Sequence, residues 1–244
     1  MSKTLKIKNK DLFIKRFLSP ISKISDSAVV EIVENEFSCL VCTADNSVIY
    51  HSKYPVEIDS DGINILNFPD IKKMIRAIDA ISDEDVVFTL ENNNLTYKDK
   101  SLRFTYHLLE DGIVKKPKLN LQKLSETQFE TFFTLKSDQI KDLIKGSVFS
   151  SDSNKVYISS NEDGVYAELT DKTRKNIDTI TLRLTDTFEG ENISSLPINF
   201  DIFRLMESGN TELNVKINSK LGIVIFEVLN NYNKTVYIVS SLVK

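Results

Sequence analysis

The sequence contains one segment twice, first as Asn67-Phe68-Pro69-Asp70-Ile71-Lys72-Lys73-Met74 and again as Asn199-Phe200-Asp201-Ile202-Phe203-Arg204-Leu205-Met206. The two copies lie about 131 residues apart, roughly the length of a typical domain. Each copy follows a short apolar run, Ile63–Leu66 or Leu196–Ile198, and precedes a polar break and three strand-like runs. The segment is therefore predicted to be the second helix of a module that occurs twice.

The first helix of the module also occurs twice. Lys8–Ile14 and Lys136–Lys141 share a pattern of polar residues followed by apolar residues at helical spacing. Asn9 and Ser137 are the predicted N-caps, because their side-chain oxygens can accept hydrogen bonds from free amides of the first helical turn. Two matched segments in the same order favour duplication over coincidence.

Each module is predicted to place two helices on an antiparallel sheet, which is an α+β fold. Helical spacing of apolar residues predicts the helices, and short alternating runs between turn residues predict the strands. Pro20 is expected to end or bend the first helix. The predicted helices are Lys10–Leu18, Asp70–Asp79, Asp138–Phe149 and Phe200–Glu207. The predicted strands are Leu5–Lys8, Ala28–Val33, Phe37–Thr43, Val48–Tyr54, Ile63–Leu66, Val86–Leu90, Leu95–Lys98, Leu102–Leu109, Thr131–Lys136, Lys155–Ser159, Val165–Thr170, Ile177–Leu184, Leu196–Ile198, Glu212–Ile217, Ile223–Leu229 and Thr235–Leu242.

The repeat predicts two domains in the chain of 244 residues. Residues 1–110 are the predicted first domain, and residues 129–244 are the predicted second domain. Residues 111–128 are the predicted connector, since Asp111–Asn120 is polar and basic and contains Pro117, which is typical of linkers.

The composition argues against several kinds of site. Glycine is scarce, at 7 residues, so a phosphate-binding loop of clustered glycines is excluded. Cys39 and Cys42 have C-x-x-C spacing, but strand alternation would place them on opposite faces. Buried small side chains account for them better than a disulfide or a zinc site, for which no second pair is present. No metal or cofactor is expected.

No arrangement of residues predicts an enzyme. His51 and His107 are the two histidines, and both lie in strand-like runs without a serine elbow or a Cys-His pairing. The N-terminal segment is lysine-rich, and no apolar run approaches the roughly 20 residues that a membrane span needs. The protein is expected to be soluble and intracellular, and a hydrolase hidden in the sequence stays an alternative.

The charge is distributed unevenly between helices and the rest of the chain. The net charge is −4, which by itself argues against a nucleic-acid-binding protein. The four helices with their flanking residues, Lys10–Ile24, Phe68–Asp79, Ser137–Phe149 and Phe200–Ser208, however, contain ten basic and seven acidic residues. Several of the acidic residues lie in first turns, where they stabilise the helix dipole. A solvated surface is one interpretation of this pattern, and a cationic surface for phosphates is the other. Four such helices in duplicated positions favour the second.

Four segments, together with the order of the elements, resemble a known family. They are Phe17–Ile24, Cys39–Asp45, Leu196–Arg204 and Tyr237–Lys244. The family is that of the DNA polymerase sliding clamps, processivity factors that include proliferating cell nuclear antigen and the clamps of large contractile-tailed phages. The resemblance covers the whole chain, and the order of the elements indicates it more strongly than any one segment.

The resemblance implies a mechanical function. Two helices of each domain would line a central hole, and three chains would close head to tail into a ring around duplex DNA. Such a homotrimer would tether the replicative DNA polymerase, would be opened by an ATP-driven clamp loader, and would act in the cytoplasm of the infected host cell. The basic residues that the resemblance assigns to the inner face are Lys10, Lys15, Arg16, Lys72, Lys73, Arg76, Lys141, Lys145 and Arg204. The second domain has fewer of them, so DNA is expected to lie closer to the helices of the first.

Clamps of this family bind partners through a short hydrophobic peptide that enters a pocket near the connector and the C-terminus. By location, the resemblance selects Ile113, Val114, Tyr232, Leu242 and Val243 for this pocket. An alternative function from another class is a non-enzymatic virion structural or assembly protein with two similar α+β domains. In that case the basic helices would be solvated surface.

Overall fold

A computed structural model describes residues 3–59, 65–150, 154–206, 212–229 and 233–242. The described residues divide into two compact units. The first unit is drawn from Met1–Thr43, Tyr50–Lys118 and Asn231–Thr235. The second is drawn from Ala44–Ile49, Leu119–Asn230 and Val236–Lys244.

The first unit contains two helical segments. The first segment, residues 10–24, is a helical turn α1 (Lys10–Phe13), a π-helical turn (Ile14–Leu18) and helix α2 (Ser19–Ile24) in succession. The second is helix α3 (Ile71–Asp79), which packs against the first. As predicted, the Asn9 side chain accepts a hydrogen bond from the Leu12 amide at 2.9 Å.

Antiparallel strands make up the rest of the first unit. In chain order, the strands wholly or mostly within it are β1 (Lys3–Ile7), β2 (Ala28–Val33), β3 (Glu36–Cys42), β4 (Val48–Pro55), β5 (Glu57–Ile58), β6 (Ile65–Phe68), β7 (Val86–Glu91), β8 (Asn94–Lys98) and β9 (Arg103–His107). One sheet has the order β5-β1-β7-β8-β9, and β6, β2, β3 and β4 are neighbours in that order in another. In the first of these sheets, Leu5 is paired with Phe88.

Aromatic residues fill the core beneath the first helical segment. Phe13 and Phe17 are buried, and their ring centroids lie 5.4 Å apart. Tyr54 contacts Phe13 edge-on at 5.0 Å. Burying a phenylalanine side chain contributes about 1.5–3 kcal/mol, so the apolar face of this segment holds it against the sheets and leaves its other face to solvent.

The second unit contains helices α4 (Leu121–Ser125), α5 (Ser137–Gly146) and α6 (Asp201–Met206), and α5 packs against α6. Its strands are β10 (Thr131–Leu135), β11 (Lys155–Asn161), β12 (Gly164–Leu169), β13 (Ile180–Thr185), β14 (Glu189–Gly190), β15 (Leu196–Asn199), β16 (Glu212–Asn218), β17 (Ile223–Leu229) and β18 (Lys234–Ser240), the last of which begins in the first unit. One sheet has the order β13-β12-β11-β15, and β14, β10, β16, β17 and β18 are neighbours in that order in another. Phe203 is fully buried, and its ring contacts Phe226.

The duplication predicted from the sequence is confirmed by the strand order. Each strand of the second unit stands nine places after its counterpart in the first: β5-β1-β7-β8-β9 becomes β14-β10-β16-β17-β18, and β4-β3-β2-β6 becomes β13-β12-β11-β15. The repeated segments at Asn67 and Asn199 lie at equivalent places, where β6 leads into α3 and β15 leads into α6. The predicted α+β fold, with helices on antiparallel sheets, is therefore the observed fold.

Pro20 was expected to end or bend the first helix, and the helix does not end there. The segment continues through Pro20 to Ile24, and a π-helical turn directly precedes the proline. A proline lacks the amide that an α-helix uses at that position, and a wider turn is a recognised irregularity at such sites. The helical segment therefore contains a π-helical turn before Pro20 and does not break at the proline.

The predicted N-cap at Ser137 was also wrong. Ser137 is the first residue of α5, and Lys136 is the capping residue with extended backbone. The Lys136 amide donates a hydrogen bond to Gln139 Oε1 at 2.6 Å, which is half of a capping box. Helix α5 ends at Gly146, three residues before the predicted end, and the short elements β5, β14 and α4 were not predicted.

Candidate nucleic-acid interface

Helix α3 of the first unit presents an exposed cationic face. Ile71, Met74 and Ile78 are buried, and the helical period places Lys72, Lys73 and Arg76 on the opposite side, where they are exposed. Asp70 caps the helix, because its carboxylate accepts a hydrogen bond from the Lys73 amide at 2.8 Å. Tyr106 Oη also accepts from the Asp70 amide and donates to the Asp70 carbonyl, which fixes the start of α3.

The exposed cations of α3, and Lys15 of the first helical segment, differ in whether they have an acidic partner. Lys72 forms an ion pair with Asp26 at 2.8 Å, and both side chains are well exposed. The side chains of Lys73, Arg76 and Lys15 have no acidic partner in the described part of the chain. An exposed ion pair contributes little to stability, but it does reduce the local positive potential. Lys15, Lys73 and Arg76 are thus the cations best placed to meet phosphate.

Lys10 forms hydrogen bonds within the first unit. It is half-buried, and its ammonium group donates hydrogen bonds to the carbonyl of Asp79 at 3.4 Å and to the carbonyl of Ile81. These carbonyls lie at the C-terminal end of α3, where a cation also interacts favourably with the helix dipole. Lys10 therefore fastens the first helical segment to α3.

Arg16 lies in the π-helical turn and is half-buried. Its Nε atom is buried without a hydrogen-bond partner among the described residues. Its carbonyl is close to two side-chain donors, Asn233 Nδ2 at 3.2 Å and Tyr50 Oη at 3.4 Å. The backbone at Arg16 is thus held more firmly than its side chain.

The basic residues of the second unit are paired within their own helices. Lys141 contacts Asp138 at 3.0 Å, Lys145 contacts Asp142 at 3.8 Å, and Arg204 contacts Asp201 at 2.6 Å. In each pair the acidic residue lies three positions before the basic residue, which places both on one side of the helix. The Arg204 guanidinium also lies over the Phe200 ring, 4.9 Å from its centroid.

The residues predicted for a partner pocket have different environments. In the first unit, Ile113 is 59% exposed and Val114 is buried, while the Asn67 side chain donates to Asp111 at 2.7 Å. In the second unit, Leu242 is 42% exposed and its amide donates to the Pro197 carbonyl at 2.9 Å. Tyr232 and Val243 lie outside the described residues.

Leu221 is an apolar surface residue near Leu242 that was not predicted from the sequence. Leu221 is 61% exposed. The neighbouring Gly222 has a φ of 64°, and its carbonyl accepts a hydrogen bond from the Ser241 amide at 2.6 Å. The turn between β16 and β17 is thereby joined to the residue before Leu242. A leucine between the polar residues Asn218-Ser219-Lys220 and Gly222 was the available signal.

His51 and the two cysteines lie in strands of the first unit. His51 Nε2 lies 3.2 Å from Ser38 Oγ, and burial lowers the pKa of this histidine. Cys39 is buried, which raises the pKa of its thiol, and Cys42 is half-buried. Within the described ranges, no three His, Cys, Asp or Glu side chains are grouped so that they could hold a metal ion. No helix in the described part of the chain is long and apolar enough to cross a membrane.

The fold is that of the DNA sliding clamps, built from two repeated domains. The chain is similar over 100% of its length to the proliferating cell nuclear antigen (PCNA) of A. fulgidus, in a structure with the C-terminal region of FEN-1, with a TM-score of 0.78, 16% identity and 99% of that chain covered. No protein-family model and no curated protein matches the sequence.

Two further clamps show the same similarity. The PCNA of Entamoeba histolytica matches with a TM-score of 0.77 and 10% identity, over 99% of each chain. The PCNA of Thermococcus kodakaraensis matches with a TM-score of 0.73 and 10% identity, over 98% of this chain and 99% of that one. These likenesses confirm the resemblance to sliding clamps at the level of the fold.

Proposed function

We propose that this protein is a DNA sliding clamp, a non-enzymatic processivity factor that encircles duplex DNA as a homotrimeric ring. The observation that carries the proposal is the duplicated strand order of the two units, combined with full-length similarity to three clamps. A repeated unit in a closed ring presents equivalent helices at regular intervals around the DNA, which suits sliding without sequence preference. We retain the domain boundaries 1–110, 111–128 and 129–244 as part of this proposal.

The DNA contact in this proposal is electrostatic and mainly made by the first unit. Lys15, Lys73 and Arg76 would approach phosphates directly, and Lys72 would have to leave Asp26 to do so. Lys141, Lys145 and Arg204 would first have to be released from their acidic neighbours. Lys10 would act mainly through the backbone that it holds in place. Arg16 is half-buried, and its carbonyl is held by Asn233 and Tyr50. A few weak phosphate contacts keep affinity strongly dependent on salt and permit sliding.

Ring closure is supported by two strands at the ends of sheets. Among the described residues, β9 ends one sheet of the first unit and β13 ends one sheet of the second. Unpaired strand edges favour pairing with another chain, and head-to-tail contacts close into a ring when the rotation permits. We propose that β13 of one copy joins β9 of the next.

An exposed apolar pair near β13 supports the same contact. Val148 and Phe149, just after α5, are 79% and 63% exposed. Gly146, at the end of α5, lies against the side chains of Leu182 and Ile180 of β13. Apolar side chains beside an open strand edge suit a second copy of the chain.

Partner binding is proposed for the apolar surface formed by Leu221 and Leu242 of the second unit. Their exposed side chains suit a short hydrophobic peptide of a replicative polymerase or of an ATP-driven clamp loader. Ile113 of the connector stays a residue that the sequence resemblance selects for partner binding. The A. fulgidus clamp is described in complex with a segment of FEN-1, and an infected cell with a phage polymerase is the setting that the sequence resemblance favours here.

The deciding experiment compares retention on closed circular DNA with retention on the same DNA after linearisation. A topological clamp stays on the circle, loaded by its cognate loader, and slides off the linear form. Equal retention on both forms would overturn the proposal. Light scattering should give the mass of a trimer, whereas DNA-independent assembly into large particles would favour the virion-protein alternative.

The ring interface has its own test. Changing Val148 and Phe149 to Asp should reduce the trimer to monomers, because the apolar pair would be lost from the contact. Val33→Asp is the matched control, since Val33 is 50% exposed in the first unit and has no place in the proposed contact. A trimer that survives the double change would rule out this interface.

A further inference from the structure

The carbonyl of Arg16 has an unusual environment within its helical segment. In an α-helix it would accept a hydrogen bond from the amide of residue 20, and residue 20 is Pro20, which has no amide hydrogen. Asn233 Nδ2 donates to this carbonyl at 3.2 Å, across a sequence separation of 217 residues. A side chain from just before the last strand thus supplies a donor to a carbonyl that Pro20 cannot serve.

Asn233 belongs to a small buried polar cluster. Its Nδ2 also lies 2.6 Å from Thr235 Oγ1 and 3.2 Å from Ser52 Oγ, and these two hydroxyls are 2.9 Å apart. All three side chains are almost completely buried. The Arg16 carbonyl can only accept, so it requires the nitrogen of the amide, and the hydroxyls can donate or accept as needed.

Tyr50 is the second donor toward the same carbonyl. Its hydroxyl lies 3.4 Å from Arg16 O, a longer contact than that of Asn233, and its side chain is fully buried. Burial raises the pKa of Tyr50, so the hydroxyl keeps its proton and remains a donor. The cluster therefore places two donors from β4 and the start of β18 at one backbone oxygen of the π-helical turn.

We propose that Asn233 is a positioning residue for the DNA contact, which it serves by replacing the missing Pro20 amide and so holding Lys15 and Arg16 in place. This inference rests on the proposed clamp function. Lys15 and Arg16 lie within the π-helical turn, so the side-chain donors at the Arg16 carbonyl, Asn233 Nδ2 and Tyr50 Oη, hold the turn that carries both cations.

The first arm of the test is a double-mutant cycle in the full chain, without DNA. Asn233→Ala should lower the melting temperature by about 2–8 °C, the shift expected for one buried hydrogen bond. Pro20→Ala supplies an amide at position 20, so in that background the same change should cost at most half as much. An equal cost in both backgrounds would overturn the replacement of the Pro20 amide by Asn233.

Asn218→Ala is the matched control for this cycle. Asn218 is also buried, and its Nδ2 donates to a backbone carbonyl, that of Gln128, at 2.7 Å. Its cost should be the same with and without the Pro20→Ala change. If Asn233→Ala does not fold, Tyr50→Phe replaces it, with a smaller shift in the same direction and the same dependence on the residue at position 20.

The second arm measures DNA binding against salt concentration. Asn233→Ala should reduce the slope of log affinity against log salt by about 1, the value for one lost phosphate contact, and Pro20→Ala/Asn233→Ala should restore it. Asn218→Ala should leave the slope unchanged. An unchanged slope in Asn233→Ala overturns the positioning role alone, whereas a wild-type protein that does not bind DNA overturns the clamp function while the thermal cycle still stands.

Discussion

The helices of the two units have the same place in the fold and different electrostatics. In the first unit, Lys15, Lys73 and Arg76 are exposed without an acidic partner in the described ranges. In the second unit, Lys141 and Lys145 each contact an acidic residue one turn earlier. Duplication therefore preserved the scaffold and not the charge, and a count of basic residues overstates the positive potential of the second unit.

The largest expected effect comes from reversing the unpaired cations of the first unit. Lys73→Glu/Arg76→Glu should strongly weaken DNA binding and loading at physiological salt, because two attractive contacts become repulsive. Replacing the same residues with Ala should reduce the salt slope by about 2. Salt titration of DNA binding measures both effects.

The control for this change is Lys98→Glu/Lys100→Glu. It alters the net charge equally at two exposed residues of the same unit, around the turn between β8 and β9. Its DNA retention should stay close to that of the wild type. A loss as large as that of Lys73→Glu/Arg76→Glu would mean that net charge, and not the α3 face, governs binding.

A smaller effect is expected from the equivalent change in the second unit. Lys141→Ala/Lys145→Ala should reduce the salt slope by less than 1, since both ammonium groups are already partly neutralised by Asp138 and Asp142. The comparison with Lys73→Ala/Arg76→Ala under identical salt conditions is the measurement. Equal reductions in slope would contradict the proposed asymmetry between the units.

The difference in positive charge between the helices of the two units can also be reduced by neutralising an acidic residue of the second unit. Asp142→Asn releases Lys145 from its neighbour at 3.8 Å and should raise DNA affinity modestly, with a steeper salt slope. Asp142 lies outside the first turn of α5, so its loss does not remove a favourable dipole interaction. Glu162→Gln, at the hairpin turn between β11 and β12, is the charge-matched control and should leave affinity closer to the wild-type value.

Sequence reasoning found the parts of this interface that depend on local patterns. The amphipathic pattern predicted a helix over Asp70–Asp79, and the observed helix is Ile71–Asp79, with Asp70 as its cap instead of a residue of its first turn. The spacing of three between Asp142 and Lys145 was also readable and would have indicated their pairing. Local sequence patterns were sufficient to predict the helices, and they would have been sufficient to predict the ion pairs within a helix.

The remaining contacts join residues that are distant in sequence. Lys10 reaches the carbonyl of Ile81 over 71 positions, and Lys72 reaches Asp26 over 46 positions. No periodicity encodes such pairs, because they depend on how the helical segments pack against each other. For the same reason, the contact between Asn233 and Arg16 could not be predicted from the sequence.

Lys10 and Lys15 lie in the same helical segment and are proposed to have different roles, Lys10 in supporting the fold and Lys15 in contacting DNA. Lys10→Met should lower the melting temperature, because the carbonyls of Asp79 and Ile81 lose their donor. The salt slope of DNA binding should change by less than in Lys15→Met, the matched change at an exposed lysine of the same segment. A full loss of one unit of slope with unchanged stability would reverse these two assignments.

The smallest expected effect concerns stability at acid pH. It tests whether a paired carboxylate outside the helices, that of Asp171, also stabilises the second unit. Hydrogen bonds from the Thr173 hydroxyl and amide, together with Lys155, lower the pKa of Asp171 to about 2. A folded-state pKa below the ordinary value of 3.8 means that Asp171 stabilises the fold above about pH 4 and loses this contribution as the pH falls toward 2. Asp171→Asn should therefore melt below the wild type at pH 7, and the difference should shrink between pH 4 and pH 2. A difference that stays constant over this range would show that Asp171 acts through its shape and neutral hydrogen bonds, and not through its charge.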